Sequence, residues 1–397
     1  MANIVLYDTA ECHADMLPLS YTRPIGEFRL GITTLREKWE RMLPGNYTYL
    51  TAEFLRKKYK SKLGRDNLFI KSTVYPEPSI IEEIRKLEVG EALYAGDEWI
   101  AIRSTRATRD AKSFRKVVCP VKPVILRYAF DIFLNNARAI ADDFMALTEG
   151  RKSQPLSLSN TLIGPTNSRK GSPNLFIEEE ARVEGAILNV EGGPIYIGKG
   201  AEVMEGSCLR GPIALCDESK INMGSKIYGG TTIGPVCKVG GELNNAVLFG
   251  YSNKAHDGFL GNAVIGEWCN IGAGANASNL KNDYAKIRVW NYPRHTFMHT
   301  DLQFCGLIMG DHSKVGINSM FNTASVVGVG VNIHGSGFPR TFIPSFSEGS
   351  PSAGFTDVSL DKFFIIADRA MERRGMKLSK EDRAIFQEIF DAAAQYK

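Results

Sequence analysis

Between residues 177 and 340 one apolar residue returns every six positions. Ile197, Val203, Leu209, Leu215, Ile221, Ile227, Ile233 and Val239 keep the interval without a miss, and Gly198, Gly234 and Gly240 directly follow three of them. Ile177 and Val183 carry the same spacing two residues out of phase, which places a small insertion between Val183 and Ile197. Phe259, Ile265 and Ile271 resume it in a new phase, and Met309, Val315, Phe321, Val327 and Ile333 resume it again. A helix repeats near 3.6 residues and a half-buried strand near 2. A strict six predicts a β-helix, in which each short strand donates one aliphatic side chain inward and neighbouring coils bury a continuous core. Glycine serves the turns, where positive φ or close backbone approach is needed. The phase changes mark loops pushed out of the coil, where binding groups concentrate.

The chain ahead of the repeat has a different pattern. NIVLYD (3–8), NYTYLT (46–51) and NLFIKS (67–72) read as strands, residues 28–42 and 79–87 as helices, and ALYAGD with EWIAIRS as a hairpin around Gly96-Asp97. Strands alternating with helices predict an α/β domain with a largely parallel sheet, spanning 1–112. A connecting helix over 127–148 and a polar linker over 151–174 fill 113–172. The β-helix occupies 173–340. An irregular stretch (339–355) and two helices close the chain within 341–397. Ser379 with Asp382 resembles a capping-box start for the last helix, whose apolar face is Ile385, Phe386, Ile389 and Phe390.

With 397 residues, 44% of them apolar, the chain can bury more than one core. It shows neither a signal-peptide-shaped run nor eighteen consecutive apolar residues, so a cytoplasmic protein without a membrane span is expected. The seven cysteines contain no CxxC pair, which suits a reducing compartment rather than a disulfide framework or structural zinc. A dispersed net charge of +4 permits phosphorylated small molecules but gives no nucleic-acid stripe.

Candidate chemistry gathers in two places. The loop after the first strand is where open α/β sheets bind ligands. Its later part, LPLSYTRPIGEFRLG (17–31), offers Arg23 and Arg29 to nucleotide phosphates through the guanidinium fork. Asp8 and Asp15 are candidate Mg²⁺ ligands. The second place is Ser252 to Tyr284. His256 can take a proton from an amine attacking a thioester. The small residues of GAGA, Gly272, Ala273 and Gly274 among them, would let a pantetheine arm pass. Asn270, Asn276 and Asn279 can bond sugar hydroxyls, and Lys254 or Lys281 can meet a phosphate. The alternative is one histidine among turn asparagines. His295 and His299 have zinc-ligand spacing without the glutamate of HExxH and read as loop histidines.

LPLSYTRP resembles the xPLTxxxPK segment of sugar-1-phosphate nucleotidyltransferases, although DTAECHAD stands where that family has GxGTR. His256-Asp-Gly-Phe259-Leu-Gly-Asn-Ala-Val-Ile265-Gly-Glu-Trp-Cys-Asn270-Ile-Gly-Ala273-Gly-Ala-Asn-Ala-Ser-Asn279 resembles the acetyltransferase motif H-L-T-Y-L-G-D-A-x-I-G-x-x-x-N-I-G-A-G-T-x-x-x-N. That motif belongs to the bifunctional N-acetylglucosamine-1-phosphate uridyltransferases/glucosamine-1-phosphate N-acetyltransferases, the GlmU family. GYSNKAHDGFLG, EWCNIGAG, SNLKN and FIPSFSEG are similar to its Bacteroidetes-type branch. The resemblance implies a nucleotidyltransferase-like α/β domain followed by an all-β left-handed parallel β-helix with C-terminal helices, assembled as a homotrimer. It implies acetyl-CoA and Mg²⁺ as cofactors, with a sugar phosphate and a nucleoside triphosphate as substrates. It places the catalytic base on His256, sugar contacts on Asn270 and Asn279, and the residue nearest the acetyl group on Ala273. Phe259 and Leu280 replace two tyrosines of the family. The competing expectations are one activity only, in either domain, and a scaffold without activity.

Overall fold

The computed structural model describes residues 3–108, 110–165 and 174–397; most of the C-terminal half of the expected linker lies outside them. The chain forms two compact units. The first comprises Met1–Phe28, Thr33–Ala129 and Lys380–Phe386, and the second Arg29–Ile32, Phe130–Ser379 and Gln387–Lys397.

The first unit is built on six strands: β1 (Asn3–Tyr7), β2 (Asn46–Leu50), β3 (Asn67–Lys71), β4 (Glu91–Ala95), β5 (Glu98–Ser104) and β6 (Arg115–Val118). β1 and β3 are almost continuously apolar because both their faces are covered. Their side chains pack with those of α2 (Leu35–Met42) and α3 (Pro78–Lys86), a short α1 (Ala10–Asp15) lying after β1. The spatial order is β2-β1-β3-β5-β4-β6. β1 runs parallel to β2 and β3, but β5 is antiparallel to both β3 and β4. The sheet is therefore mixed rather than largely parallel. The hairpin turn at Gly96 (φ +63°) reverses the chain, and β5 inserts between β3 and β4. The helix expected over 28–42 starts only at Leu35. Gly31 is left-handed (φ +76°), and Thr34 closes a reciprocal capping box with Glu37.

The second unit begins with α4 (Asp131–Thr148) and continues as a parallel β-helix whose turns stack three inward ladders. The first runs Ile177, Ile197, Leu215, Ile233, Leu248, Ile265, Met309, Val327, Ile343. The second runs Val183, Val203, Ile221, Val239, Lys254, Ile271, Val315, Ile333, with Lys254 and Ile271 aligned through Asn253 and Asn270. The third runs Leu162, Leu188, Leu209, Ile227, Leu243, Leu260, Ala277, Phe321. Each fully buried aliphatic rung contributes about 1.5–3 kcal/mol by leaving water. The hexad expectation holds with two corrections. Leu260, not Phe259, is the inward residue, because the step from Leu260 to Ile265 is five residues rather than six, while Ile265 and Ile271 are inward as expected. The coil also does not stop at 340: Phe342–Ile343 and Ser347–Ser350 continue the ladders through the stretch expected to be irregular. Between Ala277 and Met309 the chain leaves the coil for a hairpin of Arg288–Asn291 with Thr296–His299.

Arg29–Ile32 is part of this second unit through side-chain clasps. Asn136 Oδ1 and Asp143 Oδ2 of α4 accept from the N–H groups of Gly31 and Ile32 at 2.7 and 2.8 Å. Asn136 Nδ2 in turn donates to Gly230 O at 2.7 Å. Two helices follow the coils, α5 (Leu360–Glu372) and α6 (Lys380–Ala393). Ser359 caps α5, and Phe363 of α5 meets Phe346 and His312 edge to face.

Candidate functional site

The second and third ladders are joined by corners, and His256 stands exposed on one of them. Its backbone is pinned on both sides. Asn222 Nδ2 donates to Ala255 O at 2.7 Å, and Lys254 Nζ donates to the carbonyls of His256 and Gly240, the latter at 3.1 Å. Gly240 is required here: a Cβ on it would sit 2.5 Å from Ala255 O.

Lys254 was expected at a phosphate. The structure corrects this: it occupies an inward rung between Val239 and Ile271, is 1% exposed, and spends its ammonium on backbone carbonyls. Burial pulls its pKa from 10.5 down to about 8. The unfolded chain holds that proton to about pH 10.4, so the charge penalty in the fold is present below pH 8 and fades as pH rises through the interval above. Lys254→Met removes it. The stability gap between Lys254→Met and wild type should therefore move in favour of wild type by about 2–3 kcal/mol between pH 7 and pH 10.5. Urea melts at the two pH values read this; a gap independent of pH would refute the buried-ammonium account.

Two clefts meet at His256. One, of about 520 Å³, runs along the corner past Gly240, Gly241, Ala273, Gly274 and the apolar side chains of Met223 and Ile317. These two side chains are 70% and 69% exposed, unusual for large apolar residues flanking a histidine. The N–H groups of Gly272 and Gly274 are taken by Val315 O and Asp257 O, both at 2.9 Å. The N–H of Ala273 has no backbone partner among the described residues, which leaves it as the donor of the GAGA turn.

The other cleft, of about 450 Å³, lies on the outer face of the second ladder. Its floor is the row of residues that precede the inward rungs: Lys238, Asn253, Asn270 and Lys314, in register on successive coils. One wall is a stack at the preceding corner. Tyr251 lies 4.3 Å from Trp268 with planes 7° apart, and Trp268 lies 6.1 Å from His312. All three residues are left-handed, with φ between 54° and 60°. Arg373 and Arg374, at the C-terminal end of α5, complete the lining.

His256 thus shares one cleft with Asn270 and the other with Ala273 and Gly274. Phe259, Asn279 and Lys281 line neither. Phe259 N donates to Asn276 Oδ1 at 2.8 Å, Asn279 Nδ2 donates to Asn262 Oδ1 at 2.8 Å, and Lys281 Nζ reaches Lys286 O at 3.4 Å. Lys238, Lys314, Arg373 and Arg374 escaped motif reading. A signal for the first two existed: each directly precedes an inward rung, Val239 or Val315, and so must face outward.

In the first unit, Asp8 at the end of β1 is 4% exposed. Its Oδ2 accepts from Thr51 Oγ1 at 2.7 Å and Ile25 N at 3.2 Å, while Oδ1 is buried without a partner among the described residues. Burial raises its pKa from 3.8 to about 6. Arg23 is buried in the same unit, with Nη2 3.4 Å from Thr22 Oγ1. Arg29 belongs to the second unit, where its Nε donates to Phe249 O at 3.0 Å and Nη1 to Ile32 O. Asp15 is half-buried in α1. Among the described residues no group of three metal-ligating side chains occurs, and no helix is long and apolar enough to cross a membrane.

Residues 4–152 match a family model described as sugar nucleotidyl transferase. The bifunctional protein GlmU of Synechococcus elongatus is 24% identical over 214 residues, covering 50% of this chain and 43% of that protein. GlmU of Trichodesmium erythraeum is 29% identical over 143 residues, covering 35% and 25%. The chain thus spans less than half the length of the curated relatives it matches. Among solved structures, the UDP-N-acetylglucosamine acyltransferase LpxA of Bacteroides fragilis aligns over 60% of this chain and 83% of that one, at 15% identity and a TM-score of 0.29.

Proposed function

We propose that this GlmU-like chain is a transferase that moves an acetyl group from acetyl-CoA to the amine of an amino-sugar phosphate on its β-helix, with glucosamine 1-phosphate as the acceptor to test first. The observation that carries the reading is the position of His256, exposed between a corridor of small and apolar residues and a cleft of cations and amides. A thioester on a pantetheine arm suits the first; a phosphorylated sugar suits the second. The amine must lose a proton to attack the carbonyl carbon of the thioester. The imidazole of His256 accepts it, and the pinned peptide groups on either side fix the ring's point of attachment. The negative charge that develops on the carbonyl oxygen falls to the spare N–H of Ala273. The tetrahedral adduct then expels CoA thiolate, which is protonated in turn. Asn270, on the floor of the polar cleft, would bond a sugar hydroxyl. Asn279 and Phe259 line neither of the two clefts at His256. Release of free CoA with glucosamine 1-phosphate as acceptor is the direct assay; no release with any hexosamine phosphate would reject the reading.

For the first unit we infer nucleotidyl transfer to a sugar 1-phosphate, supported by the family match over residues 4–152. Mg²⁺ keeps several waters and takes one or two carboxylates plus substrate phosphates, so a single buried carboxylate with a spare oxygen fits it. Asp8 has that oxygen. The ion would neutralise charge on the transferring phosphate, and Arg23 would add a fixed cation beside it. Without an ion, the raised pKa means that the fold binds a proton more readily than the unfolded chain between about pH 4 and 6. Stability from this group is present below that window and lost as pH rises through it. At pH 7.5, Mg²⁺ with UTP should raise the melting temperature of the wild-type protein, and Asp8→Asn should remove that response while melting no lower in the absence of the ion. A wild-type melt that ignores Mg²⁺ with UTP or dTTP would leave the chain with acetyl transfer alone.

A further inference from the structure

The polar cleft beside His256 contains more cationic groups than its protein neighbours neutralise. Lys238 and Lys314 sit at the two ends of the floor row, three rungs and about 14 Å apart at the backbone. Arg373 and Arg374 approach from the end of α5. Neither arginine is in an ion pair with a described residue. The carboxylate that bears on Lys238, Glu202, is already bonded to Lys220 at 2.6 Å. Lys314 differs: its Nζ donates to Trp268 O at 2.5 Å and to His312 O at 3.1 Å, so its ammonium is spent on backbone carbonyls. Burial together with the charges of Arg374, Lys220 and Arg373 depresses the pKa of Lys238, as expected where like charges wait for an anion. A C-terminal helix end already favours nearby cations, but that accounts for Arg373 and Arg374 only, not for Lys238 beside them.

A second observation concerns the middle of the row. Asn253 Oδ1 is buried and has no hydrogen-bond partner among the described residues, and the amide of Asn270 beside it on the next coil is exposed. Burying an unpartnered acceptor costs free energy, and a ligand hydroxyl would satisfy it. Free cations at the Lys238 end, the amides of Asn253 and Asn270 next along the row and the flat edge of the Tyr251–Trp268 pair along one side define a ligand with a phosphate and a hydroxyl-bearing body.

We propose that this cleft is the phosphate-binding site of the chain, in which Arg373 and Arg374, just past the end of α5, and Lys238 hold an anion at one end of the row, while Asn253 and Asn270 bond hydroxyls of the same ligand. The site deepens the acetyl-transfer reading and rests on it for the identity of the ligand, because the phosphate belongs either to the acceptor sugar or to the coenzyme. Helix α5, remote in sequence from His256, is then part of substrate recognition.

The test is calorimetry on the full chain with glucosamine 1-phosphate, glucosamine, CoA, dephospho-CoA and inorganic phosphate, for wild type and the double variant R373A/R374A. Both arginines are exposed at a helix end, and equal melting temperatures confirm an intact fold; R373K/R374K, which keeps the charges, should restore part of any loss. We expect the affinity for glucosamine 1-phosphate to fall about tenfold or more, as for loss of a charge-assisted bond, with glucosamine and CoA unaffected. A fall for CoA instead, with glucosamine 1-phosphate unchanged, assigns the same cleft to coenzyme phosphates. Unchanged affinities for glucosamine 1-phosphate, CoA and inorganic phosphate overturn the site. The failure of the acetyl-transfer reading is separate: phosphate affinity that depends on the arginines without CoA release from acetyl-CoA would keep the cleft and reject the reaction.

Discussion

His256→Ala should lower the rate of acetyl transfer by about 10²–10⁴-fold, the contribution typical of a positioned general base. The side chain is exposed and supports no inward rung, so the protein should melt with wild type. Its main-chain carbonyl, not its ring, anchors Lys254, and that bond survives the substitution. His256→Gln should be nearly as slow, because an amide keeps polarity without basicity. Nucleotide binding by the first unit should be unchanged in both. The informative measurement is CoA release with glucosamine 1-phosphate across pH 6–9. Turnover in both variants equal to wild type would reduce His256 to a turn residue.

The second large effect concerns stability. Ile227 is a fully buried rung between Leu209 and Leu243. Ile227→Asp would put a carboxylate where the rungs above and below offer only alkyl groups. Such a group must either ionise at great desolvation cost or take up a proton and remain poorly bonded. The expected loss is on the order of 4–5 kcal/mol or more, a large share of the stability of an ordinary domain. Ile221→Asp, on the second ladder, should act alike. The adjacent Lys226 points outward, 3.7 Å from Glu242, and Lys226→Ala should change stability by less than about 0.5 kcal/mol. Melts followed by circular dichroism decide it. If the change at residue 227 proves as mild as that at residue 226, the inward ladder is misassigned.

The six-residue period was legible because one aliphatic per strand faces inward and nothing else competes for that position. It failed where the turns changed length. After Val239 the next inward residues come four and five positions later, at Leu243 and Leu248, and the step from Leu260 to Ile265 is five, so Phe259 is read one residue early while Ile265 and Ile271 are inward as expected. Lys254 defeated the reading for another reason: polarity assigns a lysine to the surface, and only the register with Val239 reveals it as a rung. In the first unit the strands and the Gly96 hairpin were legible, but the insertion of β5 between β3 and β4 was not, because the lateral order of strands leaves no local mark in sequence. His256, Asn270 and Ala273 could be named from one contiguous motif. Arg373 and Arg374 belong to no motif and come beside His256 only through the docking of α5.

The aromatic stack at the corner gives the polar cleft a built-in optical signal. Trp268 lines that cleft between Tyr251 and His312. Of the chain's four tryptophans, Trp39 and Trp99 belong to the first unit and Trp290 to the hairpin that leaves the coil. A protein keeping Trp268 alone would report through its emission on whatever enters beside it, in solution and without a label. The arrival of a ligand beside that indole would be read as a change in its emission during a titration.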